Sequence, residues 1–446
     1  MHRFLLQKLQ RLQSAQLILL GFAAMILTGA LLLMLPVASR EPYSVSFLDA
    51  LFTATSATCV TGLVVYDTAS CWTAFGQGVI LLLIQIGGLG VVTIAVLLAL
   101  ISGKKIGLMQ RSVMQDSIAA PHVQGIVRLT RFILCSTLLL ELIGALLMLP
   151  SFAAVFGAAR GSWYAFFHAV SGFCNAGFDL MGVREQFSSL TYFSEDLMLN
   201  AAVMLMIVIG GLGFLTWKDI AEHRLHFREY RLQSKAILST TALLLLLPFC
   251  YFFLVEFRGL PLRARLLLSA FQAVTPRTAG FNTTDYSAMS DTGVALTICL
   301  MLIGGAPGST AGGMKVTTLI VLISSALSVF RQRKDTVLYG RRVSDAGVCD
   351  AAALLLMYLF LFLCGSFLLC GIEAVPLKLC MFETASAIGT VGLSMGLTPT
   401  LSATSRVILI VLMYMGRVGG LTLIFATVAR QRNGSGRMPE EAIPVG

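Results

Sequence analysis

Charge is what this 446-residue chain has least of: 12% of its residues are Asp, Glu, Lys or Arg, against 57% hydrophobic. A soluble domain carries about 25% charged residues. There is too little polar surface to clothe a soluble fold of this size, so an ordinary cytosolic enzyme is excluded and a polytopic membrane protein is indicated. The ten cysteines lack close pairing or metal-like spacing, and several (Cys135, Cys250, Cys364, Cys370) fall inside apolar runs, so they imply no disulfide framework. The five histidines stand at 2, 122, 168, 223 and 226, which supplies no acid–base or metal constellation and argues against an enzyme. The run GSTAGGMK is not a phosphate loop: Met314 separates Gly313 from Lys315, inside an apolar span. With no other nucleotide motif, no bound cofactor and no ATP hydrolysis are expected.

The cations that are present come in bunches. Five clusters hold 21 of the 32 Lys and Arg: Arg3, Lys8 and Arg11; Lys104, Lys105, Arg111, Arg128 and Arg131; Lys218, Arg224, Arg228, Arg231 and Lys235; Arg331, Arg333, Lys334, Arg341 and Arg342; Arg430, Arg432 and Arg437. Every second connection is therefore basic, and the positive-inside rule places these segments and both termini in the cytoplasm of a multi-pass protein of the cytoplasmic (inner) membrane. The clusters lack interleaved aromatics and flank apolar spans, so no nucleic-acid partner is expected. The apolar stretch from Leu17 to about Leu35 is too long for a signal peptide and reads as an uncleaved first span.

Internal repeats decide the architecture. The segments ALFTATSAT (50–58), AFFHAVSGF (165–173), SAFQAVTPR (269–277) and CMFETASAI (380–388) share a Phe (Phe52, Phe167, Phe271, Phe382) and then a polar residue (Thr53, His168, Gln272, Glu383). Four residues past the Phe comes a hydroxyl (Ser56, Ser171, Thr275, Ser386), and after 10, 10, 9 and 10 residues a glycine (Gly62, Gly177, Gly280, Gly392). Each segment is about half a membrane long and lies between two longer apolar runs. The expected fold is all-α: four pseudo-repeats of helix, re-entrant pore loop and helix around a central pore, with eight full spans. The repeats divide as 1–105, 106–230, 231–342 and 343–446, the last with a short basic tail. Outer helices are expected at 17–36, 127–150, 236–256 and 350–372, and inner ones at 74–101, 196–217, 292–330 and 403–430.

Non-helical backbone survives at membrane depth only where it is buried in protein or lines water. Four such loops meeting on one axis present rings of carbonyls that replace a cation's hydration shell. Glycine suits them because carbonyls aligned along a strand demand positive φ. The candidate filter residues are Thr58, Cys59, Val60, Thr61 and Gly62; Cys174, Asn175, Ala176 and Gly177; Arg277, Thr278, Ala279 and Gly280; Gly389, Thr390, Val391 and Gly392. Two roles are open to Asp49, His168, Gln272 and Glu383: cation ligand or proton relay, or, in better keeping with their positions, hydrogen-bond partner of the loop backbone.

The inner helices carry IGGLG (86–90), IGGLG (209–213), IGGAPG (303–308) and MGRVGG (415–420). Helix packing accounts for the first two. The third expands into GGAPGSTAGGMK (304–315), too rich in small residues for a regular helix, and the fourth puts Arg417 where the first has Gly88. An arginine at mid-span costs about 2.5–3.5 kcal/mol to insert and needs polar company. The candidate gate is this irregular segment, with Gly304, Gly305, Gly308, Ser309, Thr310, Gly312, Gly313 and Lys315, crossing the pore against Arg417. Gly312 and Gly313 are expected to make it mobile; pairing of Arg417 with a carboxylate is the alternative.

The loops TCVTGL, CNAGF, RTAGF and GTVGL, together with IGGAPGSTAGGMK and the arginine of MGRVGG, resemble the Trk/Ktr/HKT superfamily of potassium transporters. Eight spans behind so short an N-terminus look most like the Ktr membrane subunit or a short Trk subunit. The resemblance implies potassium, held at the filter glycines, as substrate, possible sodium activation, a homodimer, and a cytosolic ring of nucleotide-binding regulatory subunits on the basic face. The rivals are an inverted-repeat secondary transporter of another cation, against which all four loops run in one sense, and a non-catalytic membrane scaffold.

Overall fold

The computed structural model describes residues 13–41, 45–90, 93, 111–115, 125–224, 226–420 and 422. The basic residues Arg3, Lys8, Arg11, Lys104, Lys105, Arg430, Arg432 and Arg437 lie outside them.

Among the described residues, four helices are long and apolar enough to cross a membrane: α1 (Ser14–Leu33), α4 (Ile126–Phe156), α8 (Leu232–Glu256) and α12 (Asp345–Glu373). These correspond to the four expected outer helices. Their leucines face outward, as Leu138, Leu139, Leu142 and Leu146 of α4 and Leu243, Leu246 and Leu247 of α8 do, each more than half exposed. Such a stripe is at home only against lipid. Each long helix is followed by a short one that packs back on it: α2 (Phe47–Thr58), α5 (Ala158–Phe173), α9 (Leu262–Val274) and α13 (Leu377–Gly389). The loops that end them lead to α3 (Ala74–Leu89), α6 (Leu197–Gly211), α10 (Asp291–Leu302) and α14 (Ala403–Val418). These four start sharply because the Thr73, Asp196, Ser290 and Ser402 side chains accept orphan amides of the first turn.

The helices close into a circle. Besides the contacts within each unit, α3 packs against α5, α6 against α9, α10 against α13, and α14 returns to α2. The largest fully buried side chains include the phenylalanines of all four short helices: Phe52, Phe167, Phe271 and Phe382.

The first, second and fourth inner helices are not the continuous rods expected, whereas the third breaks at 304–315 as its small residues lead one to expect. Gly90, Gly213 and Gly419 adopt φ of 88°, 87° and 89° and end α3, α6 and α14 at the same point of their shared motif. Positive φ costs glycine nothing and an L-residue about 1–2 kcal/mol, so the last glycine of GGLG works as a helix stop. After Gly213 the chain bends by 98° into α7 (Phe214–His223). The third inner helix is interrupted over 303–315 and resumes as α11 (Val316–Phe330). Beyond Gly90 and Gly420 the expected helices 74–101 and 403–430 run largely outside the described residues. A short antiparallel hairpin, β1 (Val337–Leu338) and β2 (Arg341–Arg342), follows α11.

Candidate functional site

The loops after α2, α5, α9 and α13 meet in a closed ring. A Cβ built on Gly62 would fall 2.4 Å from the Ala176 carbonyl oxygen; on Gly177, 2.7 Å from that of Ala279; on Gly280, 2.4 Å from that of Val391; on Gly392, 2.1 Å from that of Thr61. Each glycine thus abuts the residue just before the glycine of the next loop, and the fourth returns to the first. All four have positive φ (93°, 69°, 83° and 94°), so both crowding and backbone conformation bar a side chain.

One turn of backbone sets each loop. The amides of Thr61, Ala176 and Val391 donate to the carbonyls of Ser56, Ser171 and Ser386 at 2.8, 2.7 and 2.8 Å, five residues back. In the third loop Ala279 N reaches the Thr275 carbonyl at 3.0 Å, only four residues back. This accounts for the Phe-to-Gly spacing of 9 there. The hydroxyls complete the clamp. Ser56 Oγ accepts from Gly62 N at 3.0 Å and Ser386 Oγ from Gly392 N at 2.9 Å. In the other two loops the donor is reversed: Ser171 Oγ donates to the Phe178 carbonyl at 2.7 Å and Thr275 Oγ1 to that of Phe281.

Two residues before each glycine, Val60, Asn175, Thr278 and Thr390 also take positive φ (57°, 59°, 64° and 50°). Left-handed backbone at a valine or threonine costs on the order of 1–3 kcal/mol and persists only where its surroundings hold it. Sequence reading names these residues as part of the loops but not their conformation, since nothing in a Val, Asn, Thr, Thr series signals left-handed backbone. The hydroxyl clamp was visible as a repeated Ser or Thr.

Asp49, His168, Gln272 and Glu383 do not bond the loop backbone as expected. Gln272 meets the side chains of Thr283 and Tyr286, and Glu383 those of Ser394 (3.0 Å) and Thr398, all just past the loops. His168 Nδ1 contacts the Tyr164 carbonyl of its own helix at 2.7 Å, and Asp49 pairs with Arg406 of α14. Gln272 and Glu383, each one residue past its Phe, brace the segments behind the ring, a direction that the sequence pattern does not reveal.

On the inner side, the first glycine of each GG motif sits under the last turn of a short helix. A Cβ on Gly87 would fall 2.0 Å from the Thr58 carbonyl oxygen, on Gly210 2.1 Å from that of Phe173, and on Gly416 2.2 Å from that of Ile388. The third unit differs. There the Arg277 guanidinium donates to the Gly304 carbonyl at 3.1 Å.

From Gly304 the interrupted segment runs beneath the ring. Ala306 N and Thr310 N donate to the Gly211 and Gly210 carbonyls (2.9 and 3.3 Å), Phe214 N to that of Gly308 (2.7 Å), and Gly313 N to that of Gly416 (3.1 Å). Thr310 Oγ1 donates to the Phe173 carbonyl at 3.0 Å. Ser309 Oγ turns back to Ala306 O, and Lys315 Nζ to the carbonyls of Ala311 (2.7 Å) and Gly312 (3.3 Å). Arg417 donates to the Thr310 carbonyl and, at 2.6 and 3.0 Å, to those of Gly87 and Gly88; among the described residues all its hydrogen bonds go to backbone and none to a carboxylate. The segment is therefore pinned from the second and fourth units rather than loosely hung. Gly312 and Gly305 serve close packing: a Cβ on Gly312 would lie 2.1 Å from Thr390 Oγ1, and on Gly305 2.5 Å from Ala311 Cβ.

A cavity of 450 Å³ opens outside the ring, touched by all four loop glycines. A second, of 880 Å³, lies on the inner side, walled by Gly88, Pro307, Gly308, Lys315 and Arg417. The ring and the crossing segment occupy the space between.

Comparison with known proteins agrees with this construction. The chain matches the TrkH cation transport proteins over residues 15–260 and 255–435. It is 42% identical to the potassium/sodium uptake protein NtpJ of Enterococcus hirae over 98% of both chains. To the Ktr system potassium uptake protein B of Bacillus subtilis it is 38% identical over 98% of this chain and 97% of that one. The crystal structure of the potassium transporter TrkH from Vibrio parahaemolyticus superposes with a TM-score of 0.72 at 20% identity, covering 94% of this chain and 86% of the other. A shared fold and alignment along nearly the whole length leave one conclusion: this chain belongs to the TrkH family of cation transport proteins.

Proposed function

We propose that this chain is the ion-translocating subunit of a potassium uptake system of the cytoplasmic membrane, with eight spans in four pseudo-repeats (1–105, 106–230, 231–342, 343–446) and both termini in the cytoplasm. A potassium ion loses its water to the carbonyls flanking Gly62, Gly177, Gly280 and Gly392 and descends toward the inner cavity. The observation that carries this reading is the closed ring, in which four loops from separate parts of the chain abut in turn at their glycines. Relatives named for potassium uptake at 42% and 38% identity support potassium as the cargo. The segment 304–315 with Arg417 acts as the gate, since it lies between the two cavities and is latched by hydrogen bonds that a modest displacement would release. A membrane potential of 100 mV contributes about 2.3 kcal/mol per charge, a concentration ratio of roughly fifty, so passive uptake needs no nucleotide hydrolysis in this chain. A homodimer with a cytosolic nucleotide-binding ring on the basic face completes the assembly, and sodium acts as activator.

The test is cation flux into proteoliposomes containing this chain alone. Potassium and rubidium are expected to enter faster than sodium, and added sodium to leave that order unchanged. Equal entry of all three would remove the filter reading, and flux only against a counter-transported ion would favour a coupled transporter.

A further inference from the structure

On the face where the four loops open, the cationic side chains are mostly engaged. Arg406 pairs with Asp49 and Lys378 with Asp291. Arg184 lies 3.6 Å over the ring of Tyr192, Arg263 donates to the Glu195 carbonyl, and Arg265 to that of Phe253. The guanidinium groups of Arg40 and Arg160 have no hydrogen-bond or ion-pair partner among the described residues, yet both residues line one cavity of 470 Å³ between the first and second units.

The rest of that cavity is built to hold something polar. Gln77, Trp163 and Tyr164 complete most of its wall. Trp163 Nε1 donates to Gln77 Oε1 at 2.9 Å, and Gln77 Nε2 donates in turn to the Trp72 carbonyl at 3.1 Å, which fixes the indole. The Tyr164 hydroxyl makes no hydrogen bond to a described residue, and the charges of both Arg160 and Arg40 act on it. Two unpaired guanidinium groups and a free phenol converging on one space present an array of donors and no acid. Guanidinium forks match the oxygens of a phosphate group two at a time. Beside the cavity Phe75 and Phe166 stand 44% and 46% exposed, and Phe166 lies against Trp163 with ring centroids 6.3 Å apart. Aromatic rings flanking a cationic pocket at the end of spanning helices mark the level of lipid headgroups. A free phosphate would leave those exposed rings without a partner; a phospholipid lays its acyl chains on them.

We propose that this cavity binds the headgroup phosphate of an anionic phospholipid, joining the first unit, through Arg40, to the second, through Arg160. Arg40 follows the end of α1 and Arg160 sits in the first turn of α5, so the bound phosphate links the two at the rim, outside the ring of loops.

The test uses the full chain purified in detergent, with native mass spectrometry reading bound lipid at equal concentrations of phosphatidylglycerol and phosphatidylcholine. The wild type is expected to retain phosphatidylglycerol in preference. R40Q/R160Q should cut that retention about tenfold or more, and R40K/R160K, which keeps charge but loses the fork, should give an intermediate value. Equal retention by wild type and R40Q/R160Q would overturn the site. Should the double variant fail to fold, R160Q alone is read, where undiminished phosphatidylglycerol binding is equally fatal. Displacement of the lipid by millimolar inorganic phosphate would overturn the lipid reading in favour of a soluble anion.

Discussion

The ring of loops and the layer beneath it are made from the same four units and treat them oppositely. In the ring, units differ only in which way a hydroxyl points and in one residue of spacing. Four glycines abut four carbonyls in turn, and four residues share the same left-handed backbone two positions before. In the layer beneath, three units keep a helix stopped at an equivalent glycine, while the third unravels over 303–315 and the fourth replaces a glycine with Arg417. A cation approached from four sides by carbonyl dipoles needs equal walls, because one displaced wall leaves part of its hydration unreplaced. A closing element needs no such equality. On the gate reading proposed above, a single segment moves as a unit, with two discrete arrangements instead of four coordinated ones.

The most damaging change to the equal layer is a side chain at its tightest glycine. Gly392→Ser places a Cβ 2.1 Å from the Thr61 carbonyl oxygen at a φ of 94°. Potassium uptake in a host lacking its own uptake systems is expected to fall at least tenfold or to admit sodium. Gly62→Ser should behave alike, since each glycine abuts the carbonyl that precedes the glycine of the next loop. Normal uptake and selectivity in either would break the equivalence.

The unequal layer responds in the other direction. Removal of 308–313 deletes the hydrogen bonds to Gly210 and Phe214 and one of the three acceptors of Arg417, and is expected to yield an overactive pore that no longer responds to regulation. Arg417→Gln is milder. Hydrogen bonds to a charged donor contribute about 1.5–3 kcal/mol each, so loss of the latch should raise flux several-fold while leaving the potassium-to-sodium ratio in place. Unchanged flux in both variants would remove the gate and leave the segment a structural brace.

Much of this contrast is legible in the sequence, and the reason is repetition. Four copies of Phe, hydroxyl and glycine at matched spacing outweigh the ambiguity of any one copy, which is how the loops and the four outer helices can be placed. Position along the chain carries no such redundancy for conformations that side-chain type does not encode. Val60 and Thr390 take left-handed backbone against their own preference because the clamp on either side imposes it. The helix stop at Gly213, with its 98° bend, reads in sequence like an ordinary packing glycine, for a helix tolerates an isolated glycine at a cost of about 1 kcal/mol. Tertiary contacts decide between the two, as they do for the side chains of Gln272 and Glu383, which turn away from the loops toward Tyr286 and Thr398.

The smallest expected effect is also the one that discriminates among the four walls. In the first and fourth loops the clamping hydroxyl accepts the glycine amide itself, whereas in the second it donates to the carbonyl beyond the glycine. Ser386→Ala and Ser56→Ala therefore leave a buried N–H without an acceptor, at a cost of about 1–3 kcal/mol, right at the position whose φ sets the carbonyl direction. Ser171→Ala strands only a carbonyl, which tolerates under-satisfaction better than an amide does. The potassium-to-sodium flux ratio in proteoliposomes should drop a few-fold in the first two variants and less in the third. Equal losses would mean that the direction of the hydroxyl bond is immaterial and that the clamp works through the backbone hydrogen bonds of Thr61, Ala176 and Val391 alone.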